Sequence, residues 1–73
     1  MTRILSDMVA NVWKVAVSGG QPVAEGDTIV ILESMKTEIP VLAPHDGTVA
    51  EVRVEEGGSV QEGDVIAVID RTV

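Results

Sequence analysis

The chain has 73 residues, with five Lys and Arg against twelve Asp and Glu, one His and no Cys. That length supports one small domain over residues 1–73, the absence of cysteine excludes a disulfide scaffold, and a single histidine excludes the common zinc ligand sets. A net charge of −7 argues against nucleic acid and anionic membrane surfaces as partners and opposes self-association, so a monomer is expected.

In chain order, the opening Met1-Thr2-Arg3-Ile4-Leu5-Ser6-Asp7 meets Asp7, Asn11 and Lys14 before any apolar run reaches signal-peptide length, and the expected location is the cytoplasm. Val15 and Val17 alternate with Lys14, Ala16 and Ser18, which predicts a strand with one face to the core and the other to solvent. Trp13, the one aromatic residue, points opposite to Val12 and Val15 in a regular strand, which places it on the outer face or over an open barrel end; partial burial over the small core is expected for it, with a partner contact as the alternative. Lys14 reads as a solvated face residue opposite Glu51. A glycine turn then leads to Val23-Ala24-Glu25-Gly26-Asp27, where Gly26 supplies positive φ and the Asp27 carboxylate accepts from backbone N–H groups. A nearly continuous apolar strand follows. Beyond the segment from Glu33 to Leu42, the turn Ala43-Pro44-His45-Asp46-Gly47 opens a second set: alternating Val52 and Val54, a turn at Gly57, Val60-Gln61-Glu62-Gly63-Asp64, and a closing strand through Ile66 and Val68. Its apolar run from Val65 to Ile69 is a buried strand, far too short to span a membrane.

Fourteen Val and six Ile beside one aromatic residue mark an all-β chain. The two sets are copies of one unit. At an offset of 37, Val12, Val15, Val17, Gly20, Val23, Glu25, Gly26, Asp27 and Ile29 fall on identical residues, nine identities between residues 10 and 33. Two similar halves, each too small to bury its own apolar face, predict a flattened β-barrel or sandwich whose two sheets are related by a pseudo-twofold axis. The segment Glu33-Ser34-Met35-Lys36-Thr37-Glu38-Ile39-Pro40-Val41-Leu42 has no second copy, because its counterpart after Asp70 is the chain end. It predicts a hairpin with Met35-Lys36 at the tip, Glu38 facing out, Pro40 on an edge, and the chain end at the opposite end of the domain.

Lysine occurs at 14 and 36 alone. On composition, Lys36 reads as a charged turn residue that guards a strand edge. His45 reads as a solvent-facing turn residue, and the spacing of Met8, Met35 and His45 gives no support to a copper site. No nucleophile stands with a base in the sequence pattern, so no catalytic residue is expected.

Met35-Lys36 within Glu-Ser-Met-Lys-Thr-Glu-Ile-Pro-Val, together with Ala43-Pro44-His45-Asp46-Gly47-Thr48-Val49 and Val60-Gln61-Glu62-Gly63-Asp64, resembles the biotinyl domains of biotin-dependent carboxylases over residues 3 to 70. The likeness is greatest to the small free-standing biotin/lipoyl attachment proteins. It implies a barrel-sandwich hybrid of two four-stranded sheets with biotin in amide linkage on Lys36 at a protruding hairpin. It further implies that a biotin protein ligase reads Glu33, Ser34, Met35, Thr37 and Glu38, and that a biotin carboxylase and a carboxyltransferase load and unload the carboxyl group. The chain lacks an insertion between residues 18 and 22, where some carboxyl carriers hold a thumb. It departs from the family's commonest tip, Ala-Met-Lys-Met, at Ser34 and Thr37, and the second change bears on ligase recognition or carboxylation. Related lipoyl domains place an acidic residue before the lysine, so Met35 favours biotin. A lipoyl carrier and an unmodified interaction module on the same fold are the competing readings.

Overall fold

The computed structural model describes residues 1–71, which form β1 (Thr2–Leu5), β2 (Ala10–Val15), β3 (Pro22–Val23), β4 (Thr28–Ser34), β5 (Thr37–Leu42), β6 (Gly47–Val52), β7 (Ser59–Val60) and β8 (Val65–Arg71). They make two four-stranded antiparallel sheets, ordered β1-β8-β6-β3 and β5-β4-β2-β7. The all-β architecture is the one expected. Adding 37 to each strand of the first half converts one sheet order into the other, so each half contributes two strands to each sheet.

The repeat reaches the level of individual residue pairs. Val12↔Leu32, Lys14↔Ile31 and Val15↔Val30 in one sheet become Val49↔Ile69, Glu51↔Val68 and Val52↔Ala67 in the other, with a bulge at the same place. Ile4↔Ala67 and Arg3↔Val68 correspond likewise to Val41↔Val30 and Pro40↔Ile31. Strand β5 is thus the counterpart of β1, and residues 39–42 belong to the second copy, although sequence comparison sets the whole segment apart. Of these four positions only Leu5 and Leu42 are identical, which is why the match is invisible in the sequence.

Alternation places one side chain in two against the facing sheet. Val12, Ile29, Val30, Leu32, Val49, Val60, Ile66 and Ile69 are buried in one shared core, with Val15, Val41, Val52 and Val54 packed on its margin. Each fully buried Val, Leu or Ile contributes about 1.5–3 kcal/mol. The Glu-Gly-Asp segments are turns, as read. Gly26 and Gly63 hold φ of 90° and 91°, and the Asp27 and Asp64 carboxylates each accept from the N–H three residues earlier at 2.9 Å.

Two expectations need correction. Lys14 lies opposite Ile31, not Glu51; Glu51 is its symmetry counterpart in the other sheet. Strand β2 is bulged at Trp13, which breaks the expected alternation: Trp13 and Lys14 both face outward between the inward Val12 and Val15, with Trp13 on the outer face and about half covered at 49% exposure. The expectation for the chain end falls on Thr72 and Val73, outside the described residues.

Gly47 is buried where its counterpart is Ala10. A Cβ at Gly47 would collide with the Asp70 carbonyl oxygen and lie 2.9 Å from Ile69 Cγ2. Gly47→Ala is expected to lower unfolding stability by about 1–3 kcal/mol in urea titrations. Gly19→Ala, whose Cβ would meet nothing nearer than 3.9 Å, is expected to stay within about 0.5 kcal/mol of the parent.

Candidate functional site

Strands β4 and β5 pair in register from Val30↔Val41 through Leu32↔Ile39 and Glu33↔Glu38 to Ser34↔Thr37, leaving Met35 and Lys36 as a two-residue loop. Leu32, 1% exposed, ties the hairpin to the core. Both loop residues have positive φ, 51° for Met35 and 65° for Lys36, the pattern of a type I′ turn. Such turns select Asn-Gly because a Cβ in the left-handed region crowds the following carbonyl. Two residues with long side chains stand there instead, at a cost of about 1–2 kcal/mol each. Nothing in the core repays this cost, since Met35 is 94% exposed and Lys36 is exposed with it. The strain holds an amine at the extreme of a rigid hairpin, and strained backbone persists where function requires the residues that cause it.

The next row behind the tip is Asn11, Glu33 and Glu38, paired side by side across three strands. Two carboxylates directly opposite one another repel, so this row costs stability as well. Among the described residues the one ion pair joins Arg53 to Glu51 at 3.0 Å, and Lys36 Nζ is bound to neither Glu33 nor Glu38. The amine stands exposed, without a carboxylate partner among the described residues. The sequence reading thus places Glu33, Ser34, Met35, Lys36, Thr37 and Glu38 on one hairpin, and the structure brings them together there.

Other singled-out residues lie elsewhere. His45 is half-buried, its Nε2 2.7 Å from Thr2 Oγ1 and its Nδ1 2.7 Å from the Asp46 carbonyl, so it fastens the β5–β6 loop to β1 instead of facing solvent. Met8 packs on the core margin. Two shallow grooves, one around Val54 and Ser59 and one around Arg3 and Ala50, include no hairpin residue. The left-handed turn was missed in the sequence, where its signal is a two-residue loop without Gly or Asn. Replacing Met35-Lys36 by Asn-Gly is expected to raise unfolding stability by about 1–2 kcal/mol in urea titrations while removing the amine.

Comparison with known proteins agrees with this geometry. Residues 3–69 match the biotin/lipoyl family model, described as "Biotin-requiring enzyme". The chain is 50% identical over 66 residues to the biotinylated protein TB7.3 homolog of Mycobacterium leprae (strain TN), covering 90% of this chain and 93% of that one. It is 49% identical over 59 residues to the biotin/lipoyl attachment protein of Bacillus subtilis (strain 168), covering 81% of each. Its fold superposes on part of the Kluyveromyces lactis urea carboxylase with a TM-score of 0.87 and 35% identity, over 94% of this chain and 6% of that one. With the family model spanning nearly all of its length, the chain belongs to the biotin/lipoyl attachment family.

Proposed function

We propose that this protein is a biotin carrier and that Lys36 is the point of covalent attachment. The observation that carries the reading is the tip itself: a strained type I′ turn presents Met35 and an unpaired Lys36 amine on a hairpin rooted in the core. The family match and the free-standing relatives support biotin as the group carried.

An ordinary lysine amine is mostly protonated at neutral pH, so attachment needs an enzyme that removes the proton and activates the biotin carboxyl group. Lys36 Nζ, once deprotonated in a biotin protein ligase, attacks the acyl carbon of biotin activated as the adenylate. The amide C–N bond forms, the acyl C–O bond breaks, AMP leaves with that electron pair, and the amine's remaining excess proton passes to solvent. Attached biotin supplies the site that accepts and gives up a carboxyl group. The protein itself is non-catalytic. Its residues hold the tether point outward, and tethering gives a high effective concentration at the successive active sites of a biotin carboxylase and a carboxyltransferase.

Intact-mass measurement after incubation with a biotin protein ligase, biotin and ATP is expected to show one biotinyl increment, mapped to the peptide containing Lys36. Lys36→Arg is expected to melt like the parent and take up no biotin. A biotinyl group on Lys14 in that variant overturns the assignment. In parallel, a lipoate ligase with lipoate and ATP is expected to leave the protein unmodified. A lipoyl increment alone favours the lipoyl carrier, and no increment from either enzyme favours an unmodified interaction module.

A further inference from the structure

The pseudo-twofold axis supplies an internal control for the outer faces of the two sheets, because every position on one has a counterpart of the same register on the other. On the sheet that bears the hairpin, the outward residues behind the Glu33–Glu38 row are Trp13, Lys14, Thr28, Ile31, Pro40 and Leu42. Their counterparts on the second sheet are Ala50, Glu51, Val65, Val68, Arg3 and Leu5. Identical backbone therefore carries an aromatic ring and a proline on one face where it carries alanine and arginine on the other. The second face carries the Arg53–Glu51 ion pair and is indented by an open groove of about 630 Å³ lined by Met1, Arg3, Ala50, Glu51, Arg53, Val65 and Val68, so its apolar side chains are interleaved with charge. Fold stability does not require the difference, since both sheets close the same core. An exposed apolar face rimmed by charge marks a place of contact.

We propose that the face formed by Trp13, Ile31, Pro40 and Leu42 is the docking surface for the enzyme that acylates Lys36, an inference that rests on the carrier reading above. Continuity and reach argue for this occupant. The Ile31–Pro40 pair lies three strand residues, about 10 Å, behind Ser34 and Thr37 on the strands that run into the tip. In acylation the reacting atom is Lys36 Nζ, so the enzyme must close over the tip to within one side-chain length, which brings its body against this face. After acylation the longer arm serves active sites at a greater distance. Charge fixes the chemistry of the partner surface. Glu33 and Glu38 lie between the apolar face and the tip, so that surface is apolar at its centre and carries Lys or Arg where it meets them.

The test is steady-state biotinylation by a biotin protein ligase with saturating biotin and ATP and the protein as the varied acceptor. Leu42 and Leu5 are symmetry counterparts with 50% and 52% exposure, so Leu42→Ser and Leu5→Ser are matched substitutions. Trp13→Ser and Leu42→Ser are expected to raise the acceptor KM by about fivefold or more, the effect of losing an interface anchor, with kcat unchanged. Leu5→Ser is expected to leave both constants alone, and circular-dichroism melts check that all three variants fold. An unchanged KM in Trp13→Ser and Leu42→Ser, or an equal rise in Leu5→Ser, overturns the docking face while leaving the carrier reading intact. Failure of the parent protein to accept biotin overturns the carrier reading and this inference with it. Sedimentation at the assay concentrations is expected to show a monomer; a dimer that Trp13→Ser dissolves assigns the face to a second copy and overturns the proposal.

Discussion

Neither half of this chain can close a core by itself, and the rest of the structure follows from that constraint. Each half folds into strands that divide between the two sheets, so Val12, Ile29 and Leu32 meet Val49, Ile66 and Ile69 across one interior. The short β3 and β7 each reach over to the sheet built mainly by the other half, where Pro22 pairs with Thr48 and Ser59 with Asn11. Backbone bonds tie the turns in the same crossed manner: the Gly63 N–H donates to the Ser6 carbonyl and the Gly26 N–H to the Ala43 carbonyl. A chain this small and without cysteine gains cooperativity from such interlocking, since opening either sheet exposes the shared interior.

Much of this was legible in the sequence because the repeat and the alternation express the same constraint. A Val at every second position reports a buried face, and an identical Val 37 residues later reports a second face to meet it. What escaped was whatever the identities do not encode. The β1–β5 correspondence rests on register, not residue type, because an edge strand needs only a few inward apolar side chains, and Ile4 and Val41 meet that need differently. The bulge at Trp13 escaped too. Strict alternation predicts that Trp13 and Lys14 point to opposite faces, whereas the extra residue lets both point outward and restores the inward phase at Val15.

The candidate hairpin was legible as a location but not as a conformation. Resemblance marked Met35-Lys36 as a tip, and the hairpin pairing from Glu33 to Glu38 bears out the location. The left-handed backbone at both residues is a property of the two-residue loop, set by the twist of the strands on either side. The core thus imposes on the tip a geometry that its residues would not choose. The adjoining Glu33–Glu38 pair adds repulsion in the same place. The stable part of the molecule is the interior, and the unfavourable terms collect at the exposed hairpin tip.

Pro40 gives this arrangement a directional consequence. Ser34 and Thr37 flank a two-residue loop and form a hydrogen-bonded pair, so by alternation the main-chain groups of residue 40 point away from β4 toward the free edge of the sheet. Proline has no N–H to offer there. A foreign strand laid along β5 would find a donor missing in the middle of its ladder, whereas the equivalent place on β1 is Arg3, which keeps its N–H. The edge leading to Lys36 thus offers an incoming strand an interrupted ladder, which disfavours end-to-end growth of copies through the hairpin strands.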